Sequence, residues 1–174
     1  MLNYNEYITE AAKNDTFIQA AKRGQQNKVR DFIQKGVELN KKGSDSRTAL
    51  MWSCLNRFLT VVDILIKAGA DVNLKDNNNR TALMMSSTIK IVDKLLDAGA
   101  DVNVRNFYDG DTAIMEFLQY DWTYEQTIIL LNKFLNKGLD LSIRNNKNLN
   151  FYGKIKVRTN STNTEFFNMN KLDY

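Results

Sequence analysis

Two short motifs recur in step along this chain. Thr48-Ala49-Leu50-Met51 returns as Thr81-Ala82-Leu83-Met84 and as Thr112-Ala113-Ile114-Met115. Gly36-Val37-Glu38-Leu39-Asn40 returns as Gly69-Ala70-Asp71-Val72-Asn73, Gly99-Ala100-Asp101-Val102-Asn103 and Gly138-Leu139-Asp140-Leu141-Ser142. The step from Asn40 to Thr48 is eight residues, as is that from Asn73 to Thr81, and from Asn103 to Thr112 it is nine. Phase kept over four copies marks a repeat protein, whose architecture follows from one unit and the way it stacks.

The physics of a unit is legible in residues 44–76. Thr48 suits an N-cap, since its hydroxyl can accept from an unpaired first-turn amide. A short apolar helix is expected from Ala49 to Leu55, and a second from about Thr60 to Ala68, with Val61, Val62, Leu65 and Ile66 at helical spacing. Gly69 stands where a left-handed residue would end that helix. Lys75 to Arg80 then forms a polar, turn-rich connector. Neither helix can bury its apolar face alone, so neighbouring units must cover it.

These residues resemble the ankyrin repeat, a helix–turn–helix with a β-hairpin finger in about 33 residues. Residues 44–76 match best, and Phe17 to Gly36 resembles an N-terminal unit of the same kind. The fold expected is all-α: a solenoid of about four stacked repeats (about 14–43, 44–76, 77–106 and 107–145) with β-hairpin fingers. An N-terminal capping helix over 3–13 is expected from the spacing of Tyr4, Tyr7, Ile8 and Ala11, and an irregular, partly ordered cap or tail over 146–174. Within that tail, Lys154 to Thr159 alternates with period two and reads as a short strand.

The chain departs from the family pattern in places. The family writes Thr-Pro-Leu-His where this chain writes Thr-Ala-Leu-Met, which gives up the fixed φ of proline and the imidazole. Met51, Met84 and Met115 are expected as adaptable packing at the seams between units. Thr48 to Gly69 spans 21 residues, Thr81 to Gly99 only 18, and Thr112 to Gly138 fully 26. The three missing residues are placed at the inter-helix turn near Ser86–Lys90. The five extra ones are placed in Gln119–Glu125, where Trp122 and Tyr124 either fill the gap or add to a binding face.

Chemistry is scarce. The 174 residues include no His and a single Cys, which removes the commonest metal ligand, the usual neutral-pH base and any Cys/His zinc site. Cys54 reads as a buried structural thiol, Asp109-Gly110-Asp111 as a finger turn, and no phosphate loop is present. No enzymatic activity, cofactor or metal is expected. The net charge of +4 lies wholly in residues 143–174, where six cations face two anions, while residues 1–142 carry eighteen of each sign. The first ten residues lack the pattern of a secretory signal and no apolar run could span a membrane. A cytoplasmic monomer is therefore expected, or one exported without a recognisable signal.

What the resemblance implies is binding of a partner protein by the concave face of fingers and first helices, as a stand-alone adaptor or inhibitor. Carried onto this sequence, the contact residues are Ser44, Asp45, Arg47, Leu55 and Asn56 in the second unit. Asn77, Asn78, Arg80 and Thr88 follow in the third, and Phe107, Tyr108, Asp111, Gln119 and Tyr120 in the fourth. Phe107 and Tyr108 stand out, because their connector carries one residue more than the others. The competing reading is nucleic-acid association through Lys154, Lys156 and Arg158 aligned on one strand face.

Overall fold

The computed structural model describes residues 16–43, 46–120 and 123–158. In them the chain forms eight helices: α1 (16–22), α2 (Gln26–Gln34), α3 (Ala49–Leu55), α4 (Leu59–Lys67), α5 (Ile89–Asp97), α6 (Ala113–Phe117), α7 (Tyr124–Leu135) and α8 (Phe151–Arg158). They stack as helix pairs: α3 packs on α4, α4 on both α2 and α5, α5 on α7, and α6 on α7 and α8. The expected helical solenoid is the architecture that forms. The expected capping helix over 3–13 and the tail from 159 lie outside the described residues, and no described helix is long and apolar enough to cross a membrane.

Most recurring residues have a physical task, although of the three threonines only Thr48 caps through its hydroxyl. Thr48 Oγ1 accepts from Met51 N at 3.3 Å and opens α3. Met51, Met84 and Met115 are buried with Leu50, Leu83 and Ile114 in one core that runs through the whole stack. Gly69 (φ 92°) and Gly99 (φ 83°) sit just past the second helices in the left-handed region. The amides of Ala70 and Ala100 reach back to the carbonyls of Leu65 and Leu95, the bond that closes a Schellman end. A side chain at these glycines would meet nothing within 4 Å, so the backbone angle and not space demands glycine.

The Asp and Asn of the second motif join one unit to the next. Asp71 Oδ1 accepts from Asn73 N, and Asp101 Oδ1 from Asn103 N, which fixes the turn after each helix pair. Asn40 Oδ1 accepts from Asp71 N, Asn73 Oδ1 from Asp101 N and Asn103 Oδ1 from Asp140 N, each at 2.8–2.9 Å. Asn73 and Asn103 also donate through Nδ2 to the carbonyls of Gly99 and Gly138. The result is a ladder of asparagines, one rung per unit boundary. On the second helices, Asp63 pairs with Lys67 at 2.6 Å and with Lys94 of the following unit at 2.8 Å, and Asp93 pairs with Lys133 at 2.7 Å.

The third unit and the start of the tail differ from expectation, while the fourth unit is longer where its insertion is placed. In the third, residues 82–85 make only a turn, with i→i+3 bonds from Met85 N and Ser86 N. Three residues separate the two segments there, as between α3 and α4, so the missing residues come from the first helix and not from the inter-helix turn. Loss at a helix end leaves the phase of Ala82–Met85 intact, which is why the core survives. In the fourth, both the connection and α7 are longer, and Thr123 and Gln126 start α7 with a reciprocal capping box. Finally, the strand expected at Lys154–Thr159 is instead part of α8. Asn150 Oδ1 accepts from Gly153 N, and Phe151 and Ile155 bury the i, i+4 face on the stack, so helical burial outweighs the period-two pattern.

Replacing Asn103 with Ala removes two inter-unit bonds worth about 0.5–1.5 kcal/mol each. The expected fall in melting temperature is roughly 2–12 °C, read by circular dichroism. Asp63 is held down to about 2 from its ordinary 3.8, first by its hydrogen bond to Lys67 and then by that to Lys94. Its depressed pKa contributes stability above pH 3.8 that is lost as the pH falls towards 2. Asp63→Asn should therefore lose melting temperature less steeply than the wild type across that window.

Candidate functional site

Four fingers project from the stack. Each is a reversing turn closed by one backbone bond: Gly43 N to Arg47 O, Asp76 N to Arg80 O, Asn106 N to Asp111 O, and Asn145 N to Leu149 O. None of the described residues is in a strand. The side chain at the base of the finger takes the amides a longer ladder would need. Asp76 Oδ1 accepts from Asn78 N and Arg80 N, Asn106 Oδ1 from Asp109 N and Gly110 N, and Asn145 Oδ1 from Lys147 N and Leu149 N. Asp76, Asn106 and Asn145 are themselves buried.

Among the described residues, the third finger carries the most exposed large apolar side chains. Phe107 is 70% exposed and Tyr108 71%, although both stand on a backbone held from each side. Phe107 N donates to Asn78 O at 2.9 Å, and Asn146 N donates to Asp109 O at 2.7 Å. Asn146 Nδ2 reaches Tyr108 O at 3.4 Å, while Asn79 Nδ2 donates to Arg105 O at 2.6 Å. Arg105 braces the loop from within, Nε to Gly110 O and Nη2 to Asn146 Oδ1. Beside Phe107 lies a groove of about 510 Å³ whose walls include Lys75, Asn79, Asn103, Arg105 and Asn146.

The other expected contact residues divide into exposed and structural. Asn77 and Gln119 are exposed, and Leu55 and Tyr120 are each 37% exposed. Asn78 contributes its carbonyl to the third finger. Arg47 is largely committed to the stack: its Nε lies 3.4 Å from Asp76 Oδ2, and its guanidinium stacks 4.9 Å from the Trp52 ring, which Lys22 also covers at 3.9 Å. Asn56 Nδ2 bonds to Lys22 O and ties the first two units together. Thr88 is half-buried at the start of α5. Arg80 is half-buried, and its charge partly offsets the rise that burial imposes on the Glu116 carboxyl. Ser44, Asp45 and Trp122 lie outside the described residues, as does the side chain of Tyr124.

Asp111 corrects the sequence reading. It is 0% exposed, accepts from Asn145 Nδ2 at 2.8 Å and is ion-paired with Lys154. It joins the fourth unit to the next finger and to α8 and offers nothing to a partner. Its neighbour Asp109 lies 3.9 Å from the same lysine. That also removes the proposed row of tail cations, because Lys154 is committed to this pair and no strand face exists to align Lys154, Lys156 and Arg158. Asn146 and Lys75 were missed in the sequence. Their signal was positional: Asn146 repeats the place of Asn77 and Phe107, one residue past the finger base.

Cys54 is buried, and desolvation, only partly countered by a hydrogen bond with Ser86, pushes its thiol up to about 12. A thiolate that cannot form near neutral pH is no nucleophile. The thiol should stay silent to a chromogenic disulfide reagent at about pH 8 in the native protein and react at once on unfolding in guanidinium. Rapid native reaction would place Cys54 at the surface.

A family model of ankyrin repeats, in three copies, matches residues 17–106. No curated protein matches the chain.

Proposed function

The chain belongs to the ankyrin repeat family, whose repeats generally mediate protein–protein interaction, and from that premise we propose that it is a non-catalytic binding module that grips a partner protein with its fingers and first helices. The observation that carries this reading is the pair Phe107 and Tyr108, more than two-thirds exposed on a finger whose backbone is pinned by both neighbours. Aromatic side chains with few rotatable bonds supply contact area at low entropic cost and are typical anchors of protein interfaces. A pinned backbone adds to this, since little remains to be ordered on binding.

Leu55, Asn77, Gln119 and Tyr120 form the rest of the proposed contact set. Binding is an equilibrium step with no covalent chemistry and no cofactor, carried out by a monomer that acts as an adaptor or as an inhibitor by occlusion. Function then rests on shape and charge alone.

In an affinity pull-down from the native cell, the wild-type chain should recover a partner that a Phe107→Ala/Tyr108→Ala bait does not. Once that partner is purified, truncating either ring should weaken binding by about 2 kcal/mol or more, roughly 30-fold, with the melting temperature unchanged. Equal recovery by both baits would remove the third finger from the interface.

A further inference from the structure

A cation stands one residue before the base of every finger: Lys42 before Gly43, Lys75 before Asp76, Arg105 before Asn106 and Arg144 before Asn145. All four are exposed, and they hold the same place in their units because the four bases close their turns with the same backbone bond. The row is continuous. Lys42 Nζ donates to Lys75 O at 2.6 Å, Lys75 and Arg105 line one groove with Phe107, and Arg105 bonds to Asn146, two residues past Arg144.

None of these four cations pairs with a described carboxylate. Their bonds go to backbone carbonyls and to an amide oxygen. Several cations on or just past the second helices are paired instead: Lys67 and Lys94 with Asp63, Lys133 with Asp93, Lys137 with Asp97. Described acids of the fingers are withdrawn, since Asp76 and Asp111 are buried and Asp109 faces Lys154. Among the described residues, the fingers therefore present cations without free acids of their own, and the nearest exposed carboxylate in the groove beside Lys75 and Arg105 is that of Asp101.

The spacing of the row selects the ligand. Packed helices lie about 8–10 Å apart, and cations one unit apart repeat at about that interval. An extended peptide in the polyproline II form advances about 3.1 Å per residue with three residues per turn, so carboxylates on every third residue share one face and meet one cation each. A nucleic-acid strand carries charge about every 3.4 Å along a duplex, far denser than the row can match. A second row, Glu38, Asp71, Asp101 and Asp140, runs four residues before each cation and repels a continuous polyanion more than it repels spaced carboxylates. Building on the protein-binding reading above, we infer that the finger edge docks an extended acidic segment of the partner protein. Its carboxylates stand three residues apart against Lys42, Lys75, Arg105 and Arg144, and an apolar side chain lies against Phe107.

The probe is a fluorescent peptide of about 15 residues built from Gly, Ser and Thr, with one Leu and four Glu at every third position. The controls are a peptide of the same composition with its four Glu contiguous, and an oligothymidine of about the same length. Anisotropy titrations of the full chain at about 50 mM salt should show the spaced peptide binding at least about fivefold tighter than either control. The quadruple change of Lys42, Lys75, Arg105 and Arg144 to Gln should weaken it about tenfold or more in a chain that circular dichroism shows still folded. Should the quadruple variant unfold, Lys75→Gln alone, whose side chain makes no hydrogen bond or ion pair to a described residue, should weaken binding about two- to threefold. Equal affinity for the two peptides, indifference to the Gln changes, or tighter binding of the oligonucleotide each overturns the inference. If the Gln variant still recovers the native partner and the Phe107/Tyr108 variant does not, this inference fails while the protein-binding reading stands.

Discussion

Everything in this molecule depends on the inability of a single helix pair to cover its own apolar side. α3 has seven residues and α4 nine, and together they leave Leu50, Met51, Val62 and Leu65 without cover unless α2 and α5 press against them. Burial of such side chains is worth about 1.5–3 kcal/mol each, but it is non-directional and would tolerate several registers. Direction comes from the asparagine ladder. Each rung accepts from one backbone amide of the next unit, so a slip of a single residue would break it while leaving the apolar contact nearly unchanged. Hydrophobic area drives the stacking, and the ladder selects its register.

That division of labour decides what was legible in the sequence. Gly69, Asp71 and Asn73 recur because their tasks are local: one backbone angle, one turn, one hydrogen bond to the next unit. Local tasks leave repeating letters, so the helix pairs, the glycine ends and the buried methionines could be read before any coordinates. The shortened first segment at 82–85 could not. The sequence shows only that three residues are missing between Thr81 and Gly99, and whether the helix or the turn gives way is settled by which of them the core can spare. Lys154 and Ile155 were misread for a related reason. Alternation over five residues is a weaker signal than the i, i+4 pair Phe151 and Ile155, and the pair counts only once α6 is known to lie beneath it.

The candidate surface was legible in part, and the boundary runs between neighbours. Tyr108 and Asp111 share one finger, yet one is 71% exposed and the other 0%. Sequence places both on a projecting loop. It does not say that the finger base Asn145 and Lys154 of α8 come from two later segments to enclose the carboxylate of Asp111. The same long-range geometry explains why Arg47 and Arg80 contribute to the stack more than to a groove. Exposed cations one residue before the finger base escaped notice for the opposite reason: each is unremarkable alone, and only the equivalence of Gly43, Asp76, Asn106 and Asn145 aligns them.

The single extra residue of the third connector shows how display is separated from support. In the second and fourth fingers three residues lie between the closing pair, 77–79 and 146–148, whereas in the third there are four, 107–110. The addition does not loosen the loop, because Asn106 Oδ1 gathers the amides of both Asp109 and Gly110 and Arg105 holds the carbonyl of Gly110. Gly110 pays for the tightness with its identity: φ is 74°, and a Cβ there would lie 2.5 Å from both Arg105 Nη2 and Asn146 Oδ1. With the backbone closed on every side, Phe107 and Tyr108 have nowhere to fold back to, and their rings stand in solvent. The length of this connector and the two rings it carries, more than the composition of the repeats, set this chain's proposed binding surface apart from a plain scaffold.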